Sequence, residues 1–246
     1  MIFKKNNSLH LHFETQEFNI FAVEEFLTKK NMKMNVKGKW ALITGANRGI
    51  GYRITKFMAA EGCNLVLHSR NLAHTAKVLE EVKAYGVEAY CVAAELSKPE
   101  DVERMIAEIK SKVTQIDILF NDAAVQIAYR TDYFKTPVED YTESFLINTI
   151  APMMLCYAFL PDMKKRGFGR IINTTSGIRN EPQQAGYSAS KAALDKVTTD
   201  LAGTVDGTDV IISLTDPGWC RTDLGGDKAP NDPDSVIPGI VLGAFV

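Results

Sequence analysis

Cysteine, net charge and long apolar runs are all scarce in this chain, and each shortage closes off a class of protein. Cysteine occurs four times, at Cys63, Cys91, Cys156 and Cys220, with no CxxC pair and no Cys/His cluster. A zinc site is therefore not expected, nor any other metal. Three of the four sit in apolar surroundings, which predicts buried, reduced thiols and a cytoplasmic protein. The formal net charge is −2, and no run of like charge is long enough to form an electrostatic tail, so a nucleic-acid partner is not expected. Met1 to Asn7 is polar, and the stretch Phe18 to Leu27 is broken by Glu24 and Glu25. Neither a signal peptide nor a membrane span fits there, and no membrane association is expected. Internal repeats and low-complexity linkers are absent. The 246 residues, 46% of them apolar, suit one large α/β domain.

Residues 1–35 read differently from the rest. They are rich in Asn, Lys and Phe, and Phe18, Phe21, Ala22, Glu25 and Phe26 hint at a short amphipathic helix. Two readings stand for them: a loosely ordered N-terminal extension, or residues ahead of a translation start at Met32 or Met34. The catalytic domain is expected over residues 36–246.

From Val36 the chain alternates. Apolar runs at residues 40–44, 65–67, 89–93, 116–120, 171–172 and 210–214 read as strands. Helices are expected over residues 49–60, 76–85, 99–113, 138–163 (bent near Pro152) and 185–201. Strand and helix in strict alternation mean crossover connections, hence a doubly wound parallel sheet, a Rossmann fold, with helices on both faces. Ligands of such sheets bind at the carboxyl ends of the strands.

The first strand runs into Thr44-Gly45-Ala46-Asn47-Arg48-Gly49-Ile50-Gly51. Gly45 permits the sharp exit, Gly49 lets backbone approach a pyrophosphate, and Gly51 allows close packing of helix on sheet. The free N–H groups of the helix start then face the phosphates. The second strand ends in His68-Ser69-Arg70, with no carboxylate to bind a ribose 2′-hydroxyl. Arg70, with Arg48 nearby, suits a 2′-phosphate instead. NADP(H) is the expected cofactor, ahead of NAD(H).

Tyr187 and Lys191 lie four apart in a predicted helix and so share a face. An ammonium beside a phenol stabilises the phenolate, which makes the tyrosine a usable acid/base near neutral pH. Ser176 follows the fifth strand, where its hydroxyl can reach a substrate oxygen. Asn148 sits on an apolar helix, an environment that suggests a buried polar duty.

These motifs, with Asn121-Asp122-Ala123-Ala124 after strand four and Asp216-Pro217-Gly218 with Thr222 after strand six, resemble the short-chain dehydrogenase/reductase family, its 3-oxoacyl-carrier-protein-reductase-like and carbonyl-reductase-like members in particular. The resemblance runs from about Val36 to Leu224. It implies a catalytic tetrad in which Tyr187 is the acid/base, Lys191 lowers its pKa and holds the nicotinamide ribose, Ser176 orients the carbonyl, and Asn148 holds a water. It also implies cofactor contacts at Gly45, Asn47, Arg48, Gly49, Ile50 and Gly51. Further contacts fall at Ser69, Arg70, Glu95 and Leu96, at Asn121 and Ala123, at Tyr187 and Lys191, and at Pro217, Gly218 and Thr222. The partner is a small carbonyl or alcohol, and the family's usual state is a homodimer or homotetramer.

Three features depart from the family. Asp122 and Ala124 stand where Asn and Gly are usual, and Glu95 stands for the usual Asp. The third is the short, apolar stretch after Pro217, where a final strand is usual; the sheet is expected to lack that strand, and the stretch to be packed inside or in an oligomer. Substrate choice is expected to rest on Ile178, Arg179, Gln183, Trp219, Cys220 and the residues after Leu224. The resulting expectation is an NADP(H)-dependent reductase of a ketone, such as a 3-oxoacyl thioester, a steroid-like ketone or a xenobiotic carbonyl. The alternative is a non-catalytic NADP(H)-binding regulator on the same fold.

Overall fold

Two short strands precede everything the alternating pattern leads one to expect. The computed structural model describes the backbone of residues 2–5 and 8–11, and the chain from residue 34 to 246. β1 (Ile2–Lys5) and β2 (Ser8–Leu11) are separated by Asn6 and Asn7, residue types suited to turns. The amphipathic pattern around Phe18 to Phe26 lies outside the described residues.

The alternating part follows in order. β3 (Trp40–Ile43) leads into α1 (Gly49–Ala60), β4 (Asn64–Ser69) into α2 (Leu72–Lys83), and β5 (Ala89–Ala93) into α3 (Pro99–Lys112). β6 (Ile118–Asn121) precedes one long helical run made of α4 (Val138–Phe145), a π turn (Leu146–Ile150) and α5 (Ala151–Arg166). β7 (Phe168–Thr174), α6 (Ala185–Ala202), β8 (Asp209–Thr215) and the short α7 (Ile237–Val241) complete it.

The sheet order is β1-β2-β8-β7-β6-β3-β4-β5. The six strands β3 to β8 run parallel to their neighbours, as the alternation predicts. β2 adds to β8 in parallel, Ser8 opposite Ile212 and Leu11 opposite Thr215, and β1 closes the edge antiparallel. The order reverses between β3 and β6, which opens a crevice at their carboxyl ends.

Side chains along each strand alternate between two cores. Ala41, Ile43, Ile118 and Phe120 face α1, α2 and the C-terminal segment. Leu42, Leu119 and Ile171 face α3 and α5. The apolar end after Ser235 is packed inside, as expected: Ile240, Val241 and Phe245 are buried, and the Phe245 ring meets Phe57 edge-on at 6.0 Å. Cys63, Cys156 and Cys220 are buried and unpaired, and Cys91 is half-buried.

The run Val138–Arg166 is long and apolar enough, by length and composition alone, to cross a membrane; half of its most apolar window is buried in the fold. The sequence predicts its bend at Pro152. The structure has an irregularity just ahead of Pro152, a π turn at Leu146–Ile150, which accommodates a proline inside the continuous run.

Candidate active site

The crevice is a cleft of about 1420 Å³, ample for a dinucleotide and a small substrate. Its floor is the glycine loop. Gly45 has φ +71°, and a Cβ on it would lie 3.1 Å from the Cα of Ala123. Gly51 is tighter: a Cβ there would fall 2.3 Å from the Gly45 carbonyl oxygen, so only hydrogen fits. α1 opens from Arg48 in extended backbone, with no side-chain cap and no acid in its first turn. The Gly51 N–H is taken by Asp122, which leaves the N–H groups of Gly49 and Ile50 and the positive dipole end for an anion and suits a pyrophosphate.

The loop is held from beneath by a residue the sequence pattern gives no role. His68, buried at the end of β4, accepts from the Gly45 N–H at Nδ1 (3.4 Å), while Nε2 lies 3.1 Å from the Ala94 carbonyl. Burial pushes its pKa down to about 4, against the pull of Ala94 and Glu95. The neutral ring can then donate on one side and accept on the other. The only sequence signal is a histidine inside an otherwise apolar strand.

At the far end of the loop, Ser69 donates to the Asn71 carbonyl, and the Asn71 side chain caps α2. Arg70 is exposed on the cleft wall beside His74 and makes no ion pair with a described residue. Arg48 also lines the cleft. Its guanidinium turns out of the loop to Asp223, 2.9 Å away across the cleft mouth, with both side chains more than half exposed. Glu95 and Leu96 line the cleft as expected, with Glu95 accepting from the Ser97 N–H.

At the other end, Tyr187 and Lys191 project from the first turns of α6 to the cleft floor, both buried, with Nζ 6.0 Å from the ring centroid. Lys191 Nζ donates to the Thr174 carbonyl at 2.7 Å. Burial lowers the Lys191 pKa to about 8, against Asp122, Asp195 and Asp216, which pull it up. Burial raises Tyr187; a hydrogen bond with the Ser176 side chain lowers it, and Asp216 and Asp122 raise it further. Tyr187 is thus held up by burial and drawn down by Ser176. Asp122, burial-raised to about 6, accepts from the Thr174 hydroxyl at 2.9 Å and from the Gly51 N–H.

Three residues assigned to the site lie off the cleft. Gly51 packs under it, for the steric reason given. Asn121 is buried and donates to the Asn173 side chain at 2.8 Å, tying β6 to β7. Both N–H groups and one acceptor site of the Asn148 amide are used: it pairs with both backbone groups of Val125 (2.9 Å each) and donates to Ser190 Oγ at 3.0 Å. It therefore fixes the loop after β6 against α6. Asn47, Gly49, Ile50, Ala123, Pro217, Gly218 and Thr222 line the cleft as expected. Ala124 lies there too and keeps a negative φ, which an alanine adopts without strain.

The rim is less well anticipated. Ile178, Trp219, Cys220 and Leu224 line it, but Arg179 and Gln183 do not. Neighbouring residues take their place: Tyr129, Glu143, Ile147, Glu181 and Gln184. Gln184 is buried, with its Nε2 donating to the Ile127 carbonyl and its Oε1 left without a hydrogen-bond partner. No group of three or more His, Cys, Asp or Glu able to hold a metal occurs among the described residues.

Known proteins share this arrangement. The chain is 30% identical over 217 residues to a 3-oxoacyl-[acyl-carrier-protein] reductase of Aquifex aeolicus, covering 87% of each. It is 28% identical over 199 residues to a short chain dehydrogenase of Pseudocercospora fijiensis, of which it spans 63%. A metagenomic short-chain oxidoreductase solved in complex with NADP superposes with a TM-score of 0.76 at 29% identity, covering 87% of this chain and 93% of that one. The family model for short chain dehydrogenases matches residues 39–233. With a family match over most of its length and relatives alike in sequence and fold, the chain belongs to the short-chain dehydrogenase family of oxidoreductases.

Proposed function

We propose that this protein interconverts a ketone and its secondary alcohol with NADP(H), using Tyr187 as the general acid/base. The observation that carries the reading is the buried Tyr187–Lys191 pair, with Ser176 on the phenol, at one end of a cleft whose other end is an uncapped helix start. The bound nicotinamide supplies or accepts the hydride.

The residues do the rest. In the reducing direction, the Tyr187 hydroxyl gives its proton to the substrate oxygen. Lys191, charged at neutral pH with a pKa of about 8, stabilises the phenolate that remains. The Ser176 hydroxyl donates to the same oxygen as negative charge develops. Asn148 holds α6 and the loop after β6 together, so the pair keeps its aim. Arg70, exposed and free of ion pairs among the described residues, supports NADP(H) over NAD(H). Ile147, Ile178 and Trp219 suit an apolar substrate body, and the buried Gln184 oxygen, without a hydrogen-bond partner among the described residues, would meet a donor on it after a turn of the side chain. Exposed apolar side chains at Phe134, Val138 and Tyr141, close in sequence around the start of α4, support a homo-oligomer.

The test follows nicotinamide absorbance with NADPH and NADH against simple ketones and 3-oxoacyl thioesters. Turnover with NADPH is expected, and Tyr187→Phe should lose about 10²- to 10⁴-fold in kcat while still binding NADPH. Binding without turnover across the panel would point to the regulatory reading.

A further inference from the structure

We propose that Asp122 is a positioning residue for the Tyr187–Lys191 pair: its carboxylate ties the start of α1 to β7 and supplies one of the negative charges that hold Lys191 as an ammonium. This rests on that pair being the catalytic one, as proposed above.

The geometry runs through one residue. Thr174, at the end of β7, donates its hydroxyl to Asp122 Oδ1 at 2.9 Å, and its carbonyl accepts from Lys191 Nζ at 2.7 Å. On the other side the Gly51 N–H donates to the carboxylate, and Oδ2 sits 3.1 Å from where a Cβ on Gly51 would be. The Asp122 backbone is itself pinned, its N–H donating to Thr44 Oγ1 at 3.0 Å. The carboxylate therefore sits at a fixed place between the glycine loop and the lysine.

The charged and titratable groups around it can be named element by element. α6 contributes Lys191 and Tyr187, with Asp195 one turn beyond and also acting on Lys191, and the loop after β8 contributes Asp216 and Cys220. α1 contributes the Gly51 amide at its positive end. The turn after β3 and the end of β7 contribute the neutral hydroxyls of Thr44 and Thr174. Lys191 is the cation among these, so the ionised Asp122 has one favourable charge partner, and its loss would make a buried ammonium harder to keep.

Asp122→Asn isolates the charge. An asparagine oxygen can still accept from Gly51, and the Thr174 hydroxyl can rotate to accept from the new amide. The experiment is a carbon-13 titration of lysine side chains in the full chain, with the Lys191 signal assigned by its absence in Lys191→Arg. In Asp122→Asn the Lys191 midpoint should move to lower pH by about half a unit to one unit. Thr174→Val loses the same hydrogen bond but keeps the charge, and its midpoint should stay with the parent. An unmoved midpoint in Asp122→Asn overturns the proposal, and so does an equal shift in Thr174→Val. The titration needs no substrate, so a parent chain without turnover would sink the proposed activity while this measurement still decides Asp122.

Discussion

The two ends of the cleft are built on opposite terms. At the catalytic end nearly every polar atom has a partner. Lys191, Thr174, Asp122, Asn148 and Ser190 exchange hydrogen bonds of 2.7 to 3.0 Å, and His68 clamps the glycine loop from below. At the substrate end Gln184 keeps a buried oxygen without a partner, Trp219 is 57% exposed, and Asn180 sits in the left-handed region at φ +59°. A group that must act the same way on every cycle is fixed by its neighbours. A group that must meet a variable substrate is left with capacity to spare, at some cost in stability.

The comparison can be broken first at the catalytic end. His68 has a folded pKa of about 4 against an ordinary 6.5, so the unfolded chain binds its proton first. Its contribution is complete above pH 6.5 and is lost as pH falls towards 4, up to about 3 kcal/mol. Asp122 has the opposite sign: with a folded pKa of about 6, raised from 3.8, it gains stability over a similar range. Acid destabilisation should therefore be shallower in His68→Gln than in the parent and steeper in Asp122→Asn, as read by urea unfolding at pH 7 and pH 4.5. Parallel curves for all three would show that neither group is held as firmly as its contacts suggest.

A smaller effect is expected at Arg70. Arg70→Ala should lower kcat/KM with NADPH about 10- to 50-fold and leave NADH nearly unchanged, since one charged hydrogen-bond pair is worth roughly 1.5–3 kcal/mol. Equal losses with both cofactors would remove Arg70 from the 2′-phosphate and leave Arg48, once freed from Asp223, as the better candidate.

The smallest effect lies at the open end. Gln184→Leu should cost about fivefold to tenfold in kcat/KM for ketones that carry a hydroxyl or amide donor, and little for purely apolar ones, in line with one neutral hydrogen bond of about 1 kcal/mol. A uniform loss would show that Gln184 serves the loop at Ile127 and not the substrate.

Local spacing explains what is legible in the residues alone. The glycine loop and the Tyr187–Lys191 pair depend on residues within one turn of each other, so their geometry follows from the chain itself. The six parallel strands follow from periodicity. What escapes depends on direction in space. Arg48 and Arg70 are equally plausible cations in the sequence, yet one turns to Asp223. Gln183 and Gln184 are adjacent, and only the second faces the cleft. Asn148 reads as a buried polar residue on an apolar helix and Asn121 enters through the family resemblance, but the bonds their amides make, β6 to β7 and a loop to α6, are visible only in three dimensions. The pairing of β2 with β8 joins residues too far apart for any periodic signal to report.

That last pairing also sets an order of events. Ser8 must find Ile212, some two hundred positions later in the chain, so the hairpin leaves the ribosome long before its partner strand exists. Closing so large a loop carries an entropic cost that local strands do not bear, and contacts of this span form slowly. Until β8 is laid against β7, one flank of the growing sheet stays open, its backbone groups available to any other extended chain nearby.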